Sequence, residues 1–305
     1  MYFKKIGLIL FIAALFFAIM LASVAAPAAV VRADEPVAPE RASGTAINGT
    51  QTMSGTGTFT FSAWVYLPLV LNGYPPAPAC PTTSTRQYDL IPVGGAPADH
   101  PDYLHGDLNL SLRGWEPVDA PLVLKDYGGD TDDDPPNLRG IFGDNRVPAF
   151  TAAYQVYDWD WNCGTADGCR GNLLNTWDTT LLQLKTTPGE TLRIPQRSPD
   201  IYQGIYRALV LYAEENRLTL VYARQDTVAF VYAVHFEDVC VDPNLLALYR
   251  SRVDADGWRV ASGGYQLPAL KNGQVFGTAA GNGIKVATRD SGDFMNPRSR
   301  KDWWQ

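Results

Sequence analysis

The sequence predicts an all-β protein, an antiparallel sandwich or barrel with two short helices near the C-terminus. Runs of β-branched and aromatic residues alternate with turn-forming residues, and the 305-residue chain contains 27 glycines and 22 prolines. The three clearest runs, 206–213, 217–223 and 227–236, follow one another across short turns, which is typical of a meander. Because both faces of the third run are apolar, we expect it to be a central strand.

Further elements are predicted from weaker patterns along the chain. Asp242 and Asn296 each precede a proline, as a helix-capping residue does, which predicts helices over 244–252 and 298–304. The second helix is expected to dock the C-terminus through its two tryptophans. Weaker strand patterns, separated by glycine or proline, occur at 86–91, 107–112, 121–126, 150–157, 179–186, 190–195, 273–279 and 283–289, the last two as one hairpin.

The N-terminal segment has the character of an export signal. Two lysines precede an apolar run over 6–21 that ends in small residues, which predicts a signal peptide over 1–33 with cleavage between residues 25 and 33. An uncleaved anchor helix is the alternative, since the run is almost long enough to span a bilayer. Cleavage would leave no membrane span in the mature chain. We therefore expect a secreted, extracellular or cell-surface protein.

Composition divides the rest of the chain into a stalk and a folded region. Residues 34–81 are rich in proline, glycine, serine and threonine, which predicts a flexible stalk with a short apolar island over 63–72. Residues 82–305 are then a β-rich extracellular domain. That length is sufficient for one large domain or for two subdomains, 82–200 and 201–305.

Charge and missing motifs exclude several classes of function. The chain has 25 lysines and arginines against 32 aspartates and glutamates, a net charge of −7. Because nucleic acids and anionic lipids are bound mainly by basic residues, neither is expected as a partner. The sequence contains no G-x-S-x-G, H-E-x-x-H or G-x-x-x-x-G-K-[ST] motif and no Rossmann glycine pattern. Nucleotide enzymes and the commonest serine hydrolases therefore lack support.

Four cysteines in an exported chain predict two disulfides, for which three connectivities are possible. Only five residues, two of them glycine, separate Cys163 from Cys169, so these two can close a small loop. That choice leaves Cys80 to pair with Cys240 across a long stretch of chain. A zinc site is the alternative, but its cysteines usually come in C-x2-C pairs, which are absent here.

An acidic segment suggests calcium as a cofactor. Asp130, Asp132 and Asp134 have the alternate spacing at which carboxylates converge on one hard cation. Pro135 and Ile141 stand where an EF-hand loop has its glycine and its bidentate glutamate, so the segment departs from that pattern. A solvated acidic loop is the alternative interpretation, since aspartate favours turns.

A row of aromatic residues suggests a site for polysaccharide. On a strand, Tyr157, Trp159 and Trp161 would line one face, and Asp158 and Asp160 the other. Exposed aromatics beside carboxylates are suited to stacking sugar rings and binding their hydroxyls. The alternative is that the three aromatics belong to the core, which the usual burial of tryptophan favours.

The three histidines allow a metal-site interpretation that the spacing does not favour. His100 and His105 each lie close to an aspartate, and His235 would be the third ligand. The alternative is two loop histidines and one histidine packed in a strand. Since the three lack the paired spacing of most metal sites, we favour this second interpretation.

Two resemblances are visible in short segments. Residues 107–115, 156–163 and 296–304 look like a recurrent family of exported bacterial proteins, and V-Y-L-P-L-V-L-N at 65–72 is similar to a segment that follows many of their signal peptides. This resemblance implies localisation and no activity. Residues 267–297 resemble the end of the lysostaphin-type metallopeptidase barrel, which implies a small antiparallel barrel. In that family the closing strand has an H-x-H zinc motif, and the corresponding residues 284–289 have none.

From these features we expect a non-catalytic binding or structural protein of the cell envelope, with polysaccharide as its ligand. The alternative is a cell-wall-active hydrolase related to the lysostaphin-type enzymes. No set of residues in the sequence has the spacing of a catalytic site, which is why the first expectation is preferred.

Overall fold

A computed structural model describes residues 47–51, 59–63, 79–94, 99–198, 204–223, 231–260 and 265–305. The chain divides into two compact units, residues 1–73 and residues 74–305. The predicted signal peptide and all but the first residue of the apolar island lie outside the described residues. In the part of the chain that the structure describes, no helix is both long enough and apolar enough to cross a lipid bilayer.

Within the ranges just given, the chain forms sixteen strands, three α-helices and two short 3-10 helices. The 3-10 helices are Asp102–Leu104 and Leu138–Ile141. The α-helices are α1 (Leu110–Arg113), α2 (Pro243–Arg250) and α3 (Arg300–Trp303). The strands are β1 (Ile47–Gln51), β2 (Phe59–Ala63), β3 (Asp89–Pro92), β4 (Trp115–Pro117), β5 (Phe150–Asp160), β6 (Cys169–Leu173), β7 (Leu181–Lys185), β8 (Thr191–Arg193), β9 (Tyr206–Ala213), β10 (Arg217–Ala223), β11 (Val231–Glu237), β12 (Val239–Val241), β13 (Gln266–Lys271), β14 (Val275–Ala279), β15 (Gly283–Asp290) and β16 (Asp293–Met295).

The first unit contains a two-stranded antiparallel sheet in which β1 pairs with β2. Two segments of the predicted stalk, residues 34–81, thus form strands, and the flexibility expected of the stalk stays a prediction. Composition alone led to that expectation, whereas residues 59–62 alternate phenylalanine with threonine or serine, a pattern that favours a strand.

Eleven strands of the second unit form one large antiparallel sheet in the order β3-β13-β9-β10-β11-β15-β7-β5-β4, with β6 beside β5 and β16 beside β15. The predicted all-β antiparallel class is confirmed. The sheet is open, with β3 and β4 at its ends, so the barrel alternative is wrong. The predicted meander is confirmed as β9-β10-β11. β11 lies between β10 and β15, and six of its seven residues are buried, as expected of a central strand.

A second sheet of three strands, in the order β12-β14-β8, packs on one face of the large sheet. One buried apolar cluster, the main core, joins the two sheets to α2 and to the C-terminal tryptophans. Its members include Leu220, Val234 and Phe236 of the large sheet, Leu192, Val239 and Phe276 of the small sheet, Leu245 of α2, and Trp303 and Trp304. The sandwich alternative therefore describes the fold, with sheets of unequal size.

Strands from the two sides of residue 200 pair with each other in both sheets: β3 pairs with β13, β7 with β15, and β8 with β14. Residues 74–305 form a single compact unit. The alternative of two subdomains divided near residue 200 is thus not what the second unit shows.

Three local predictions need correction. Residues 107–112 were expected to be a strand, but Asn109 caps α1 by accepting a hydrogen bond from the Ser111 N–H, and Gly114 ends the helix at a positive φ. Residues 121–126 form only an isolated bridge from Lys125. β14 and β15 exist as predicted but lie in different sheets, so they are not a hairpin, and the closed barrel implied for 267–297 is not formed.

Both helix predictions are confirmed with one shift of position. Asp242 accepts a hydrogen bond from the Asn244 N–H and a proline follows it, so α2 begins as predicted. α3 begins later than predicted, with Ser299 as its N-cap, because the Asn296 side chain instead accepts the Arg298 N–H in a turn before the helix. The two C-terminal tryptophans are buried, as expected.

The predicted disulfide pairing is confirmed. Cys80 pairs with Cys240 of β12 across 160 residues, and Cys163 pairs with Cys169 across six, with Cα–Cα distances of 5.3 and 6.1 Å. All four cysteines are therefore paired.

Candidate functional site

The candidate site lies on the face of the large sheet that points away from the main core, which we call the outer face. Because side chains alternate along a strand, Thr219, His235 and Ala287 share this face across three neighbouring strands. Residues 99–114, with their 3-10 helix and α1, are bound to it. The Thr219 hydroxyl donates to the Leu108 carbonyl at 2.6 Å, and Leu110 packs in a small apolar cluster with Ala287.

A buried ionic network holds residues 99–114 on the sheet. Asp107 accepts hydrogen bonds from Arg113 and, at 2.8 Å, from Arg289 of β15. Burial raises the pKa of Asp107, but the charges of Arg289 and Arg113 outweigh burial and lower its pKa to about 2. Two buried guanidinium groups thus share one carboxylate. Burial and the neighbouring Arg289 accordingly lower the pKa of Arg113.

His235 lies beside this network, apart from the other two histidines. Its Nδ1 lies 2.9 Å from the Thr219 hydroxyl, and its ring stacks on Phe294 with centroids 6.0 Å apart. Burial, together with Arg289 and Arg113, holds the pKa of His235 well below its ordinary value, so the ring is neutral. The favoured interpretation of His235 as a packed strand residue agrees with this position.

A cavity of about 410 Å³ opens beside the network; we call it the Arg113 cavity. Its wall combines apolar surface from Leu174, Trp177 and Phe294 with polar groups of Arg113, Asp158 and Thr176. The Arg113 side chain is only 5% exposed, and its Nη1 lies 3.5 Å from Asp158 Oδ1. Ligand pockets are lined mainly by apolar and aromatic side chains with a few fixed polar groups, and this wall contains both kinds of surface.

A second group of polar side chains, the histidine cluster, consists of Asp99, His100 and His105. Asp99 Oδ1 lies 3.0 Å from His100 Nδ1 and 3.3 Å from His105 Nε2. The pairing with Asp99 raises the pKa of His100, whereas burial lowers the pKa of His105. Trp161 packs against both imidazoles, with ring centroids 4.8 Å from His100 and 4.9 Å from His105.

The small disulfide loop fixes one side of this cluster. His100 Nε2 lies 3.1 Å from the carbonyl of Ala166, a residue enclosed by Cys163 and Cys169. Trp159 lies between this loop and residues 99–114: its indole N–H donates to the Asp167 carbonyl at 3.2 Å. A Cβ at Gly106 or Gly168 would come within 2.4 Å of the Trp159 ring, so both positions require glycine.

The aromatic row predicted on β5 is partly exposed and lies outside the core. None of Tyr157, Trp159 and Trp161 belongs to a buried apolar cluster of the described residues, so the favoured interpretation of core residues is wrong. The three rings do not share one function. The guanidinium carbon of Arg170 lies 5.2 Å from the ring centroid of Tyr157. Trp159 donates a hydrogen bond to the disulfide loop, and Trp161 packs against the histidines. The sugar platform on this row stays a prediction.

The structure does not assemble the predicted calcium site. In the described ranges, the only three acidic, histidine or cysteine residues whose ligand atoms lie within 4.8 Å of one another are Asp99, His100 and His105. The backbone of the acidic loop is instead held by other segments. The Asp132 N–H donates to Asp302, the Asp130 carbonyl accepts from Lys301, and the Asp134 carbonyl accepts from Arg197.

Sequence reasoning missed the Arg113 cavity and the role of Asp99. The cavity residues come from α1, β5, the segment after β6 and β16, and no local spacing links them. Asp99 directly precedes His100, and this Asp-His pair five residues before a second histidine is the signal in the sequence that could have indicated the cluster.

Comparisons with known proteins returned no match: no family model, no curated protein and no solved structure is similar to this chain.

Proposed function

We propose that the chain is a secreted or cell-envelope binding protein without catalytic activity, and that the Arg113 cavity holds one saccharide unit of a cell-surface polysaccharide. The observation that supports this is the cavity wall. Trp177 and Phe294 offer apolar rings, while Arg113 and Asp158 offer donors and acceptors at the same opening. A sugar ring has an apolar face of C–H groups and an edge of hydroxyls, so it matches both kinds of surface.

The wall is prepared for such a ligand before it binds. Arg113 is fixed by Nε donation to the Gly106 carbonyl at 2.7 Å and by the Asp107 carboxylate. Trp177 packs edge to face on Tyr127 with centroids 5.2 Å apart. Because these groups are already ordered, binding would restrict few side chains, which lowers the entropic cost of association.

A glycan array followed by calorimetry tests the proposal. We expect binding to envelope-type polysaccharide fragments and at least a tenfold loss of affinity in Trp177→Ala, with the bound saccharide recovered intact. The control is Trp258→Ala, which removes a tryptophan that is 40% exposed and does not line the cavity. Thermal unfolding of both variants checks that the fold persists.

Three results would contradict the proposal: absence of glycan binding by the intact chain, equal affinities of wild type and Trp177→Ala, or equal losses in both variants. Cleavage of the bound saccharide, or clearing of a peptidoglycan suspension, would instead support the hydrolase alternative. The first set of results concerns binding and the second concerns catalysis, so the two are separable.

A further inference from the structure

We propose that Asp99, His100 and His105 form a binding site for a divalent transition-metal ion of the zinc or nickel type. Two imidazoles and one carboxylate are the ligand set that such ions accept. The three ligand atoms lie within 4.8 Å of one another, with two of the separations at 3.0 and 3.3 Å. Ligand bonds of 2.0–2.1 Å place neighbouring ligands about 3.3 Å apart in a tetrahedral site. The distances from Asp99 to the two histidines are therefore already close to this value. Only the distance between the His100 and His105 nitrogen atoms has to shorten when the ion binds.

His100 is arranged as a metal ligand would be. Its Nε2 faces the Ala166 carbonyl at 3.1 Å, and a proton there leaves the Nδ1 lone pair directed toward Asp99. His100 Nδ1 is buried and lies 3.0 Å from Asp99 Oδ1, a contact that a metal ion bound by both atoms would replace. Ligating histidines usually donate their second N–H to a carbonyl or carboxylate, which fixes the ring. The disulfide loop supplies that carbonyl here.

His105 determines how tightly the ion is held. The Asp107 N–H donates to His105 Nδ1 at 3.1 Å, so without metal the ring carries its proton on Nε2. Coordination through Nε2 moves that proton to Nδ1 and breaks this hydrogen bond. We therefore expect micromolar rather than nanomolar affinity, and weaker binding at acidic pH, where a proton on His100 competes with the ion.

The charges around the cluster favour a cation. Asp107 acts on His105, and Asp99 and Asp167 act on His100. Against these carboxylates, His100 and Arg259 are the basic side chains that act on His105. Asp99 remains 74% exposed, so an ion and its water ligands can reach the site from solvent.

The test titrates the purified full chain with zinc in a calorimeter and, separately, follows tryptophan fluorescence during addition of nickel. We expect one site with a micromolar dissociation constant, and quenching that is largely lost in Trp161→Phe while the calorimetric site persists. His100→Gln keeps an amide donor for the Ala166 carbonyl but removes Nδ1, and it should weaken binding at least tenfold. Asp130→Asn, in the acidic loop, is the matched control and should bind as wild type does.

Removing the small disulfide with Cys163→Ser and Cys169→Ser together should also weaken metal binding, because the loop carbonyl no longer positions His100. The proposal is overturned if zinc does not bind at about 1 mM, a concentration that would fill even a site as weak as those of extracellular calcium modules, or if His100→Gln and Asp130→Asn bind zinc equally. Neither result depends on saccharide binding, since the residues that line the Arg113 cavity and those of the histidine cluster are different.

Discussion

The two faces of the large sheet are stabilised in different ways. On the inner face, Leu220, Val234 and Phe236 pack into a continuous apolar core with the small sheet and the C-terminal tryptophans. On the outer face, the neighbouring positions Thr219 and His235 are polar and are covered by a segment held through ion pairs and hydrogen bonds. The outer face also has a smaller apolar cluster that includes Leu209, Val221 and Ala233. From this comparison we expect the larger inner core to supply most of the stability, and the outer face to position polar groups for ligands.

The largest expected difference concerns the two disulfides. Replacing Cys80 and Cys240 with serine opens a closure of 160 residues and should cost about 5 kcal/mol of unfolding free energy from loop entropy. Replacing Cys163 and Cys169 opens a six-residue closure on the outer side and should cost about 2 kcal/mol. Urea unfolding of both double variants measures the difference. Equal losses would contradict the contrast between the faces.

Tryptophan truncation gives the next effect. Trp303 is 1% exposed in the main core, so Trp303→Ala should lower the unfolding free energy by about 4 kcal/mol. Trp161 is half-buried outside the core, and Trp161→Ala should cost only about 1 kcal/mol. Chemical denaturation distinguishes them, and a larger loss for Trp161→Ala would show that the outer face is the main source of stability.

Removing the shared carboxylate tests the outer network. Asp107→Asn removes the carboxylate that Arg113 and Arg289 share and should lower the unfolding free energy by about 2 kcal/mol at pH 7, less than the loss for a fully buried pair because Asp107 is partly exposed. The pKa of Asp107 is lowered to about 2 in the folded chain, below that of the unfolded chain, so its ionised form stabilises the fold above pH 4. That contribution is lost as the pH falls from 4 to 2.

Unfolding of wild type and Asp107→Asn at pH 7 and at pH 2 measures this dependence. The unfolding free energies of the two proteins should differ at pH 7 and become similar at pH 2. Asp144→Asn, at an exposed aspartate, is the control and should match wild type throughout. A difference that is the same at both pH values would exclude the ionic explanation.

The smallest expected effect is a dependence of the unfolding free energy on pH that arises from Glu237, two residues after His235. Burial raises the pKa of Glu237 to about 7 despite the nearby Arg217. Since the folded pKa exceeds the unfolded value, Glu237 stabilises the fold below pH 4.5, and this contribution is lost as the pH rises to 7. Between pH 5 and 7, wild type should lose at least about 1 kcal/mol relative to Glu237→Gln. A constant difference between the two proteins would contradict the assignment.

The inner face was largely predictable from sequence, because periodicity reports on burial. Residues 206–236 alternate apolar side chains between turns, and the meander followed from that pattern. Periodicity does not show which strands pair with each other when the two are distant along the chain. β14 and β15 have strand patterns, yet nothing local indicates that they pair with strands of different sheets.

The outer face was predicted less well, for physical reasons that particular residues illustrate. Asn109 and Gly114 change residues 110–113 from an apparent strand to a helix through one capping hydrogen bond and one positive φ. The histidine cluster gains Asp99 and excludes His235 because tertiary packing, and not spacing, brings the ligands together. The Arg113 cavity needs Trp177 and Phe294, which are 117 residues apart.

The indole N–H spectrum of the eight tryptophans tests the contrast between the faces most directly. Resonances are assigned by single Trp→Phe variants, and ¹⁵N–¹H spectra are recorded with the saccharide identified on the array and then with zinc. We expect the saccharide to shift the Trp177 resonance and zinc to shift those of Trp159 and Trp161. The Trp303 and Trp304 resonances, whose N–H groups donate to the Asn296 and Pro297 carbonyls in the core, should stay unchanged. Shifts confined to Trp303 and Trp304, or no shift at Trp177 and Trp161, would contradict the assignment of ligand binding to the outer face.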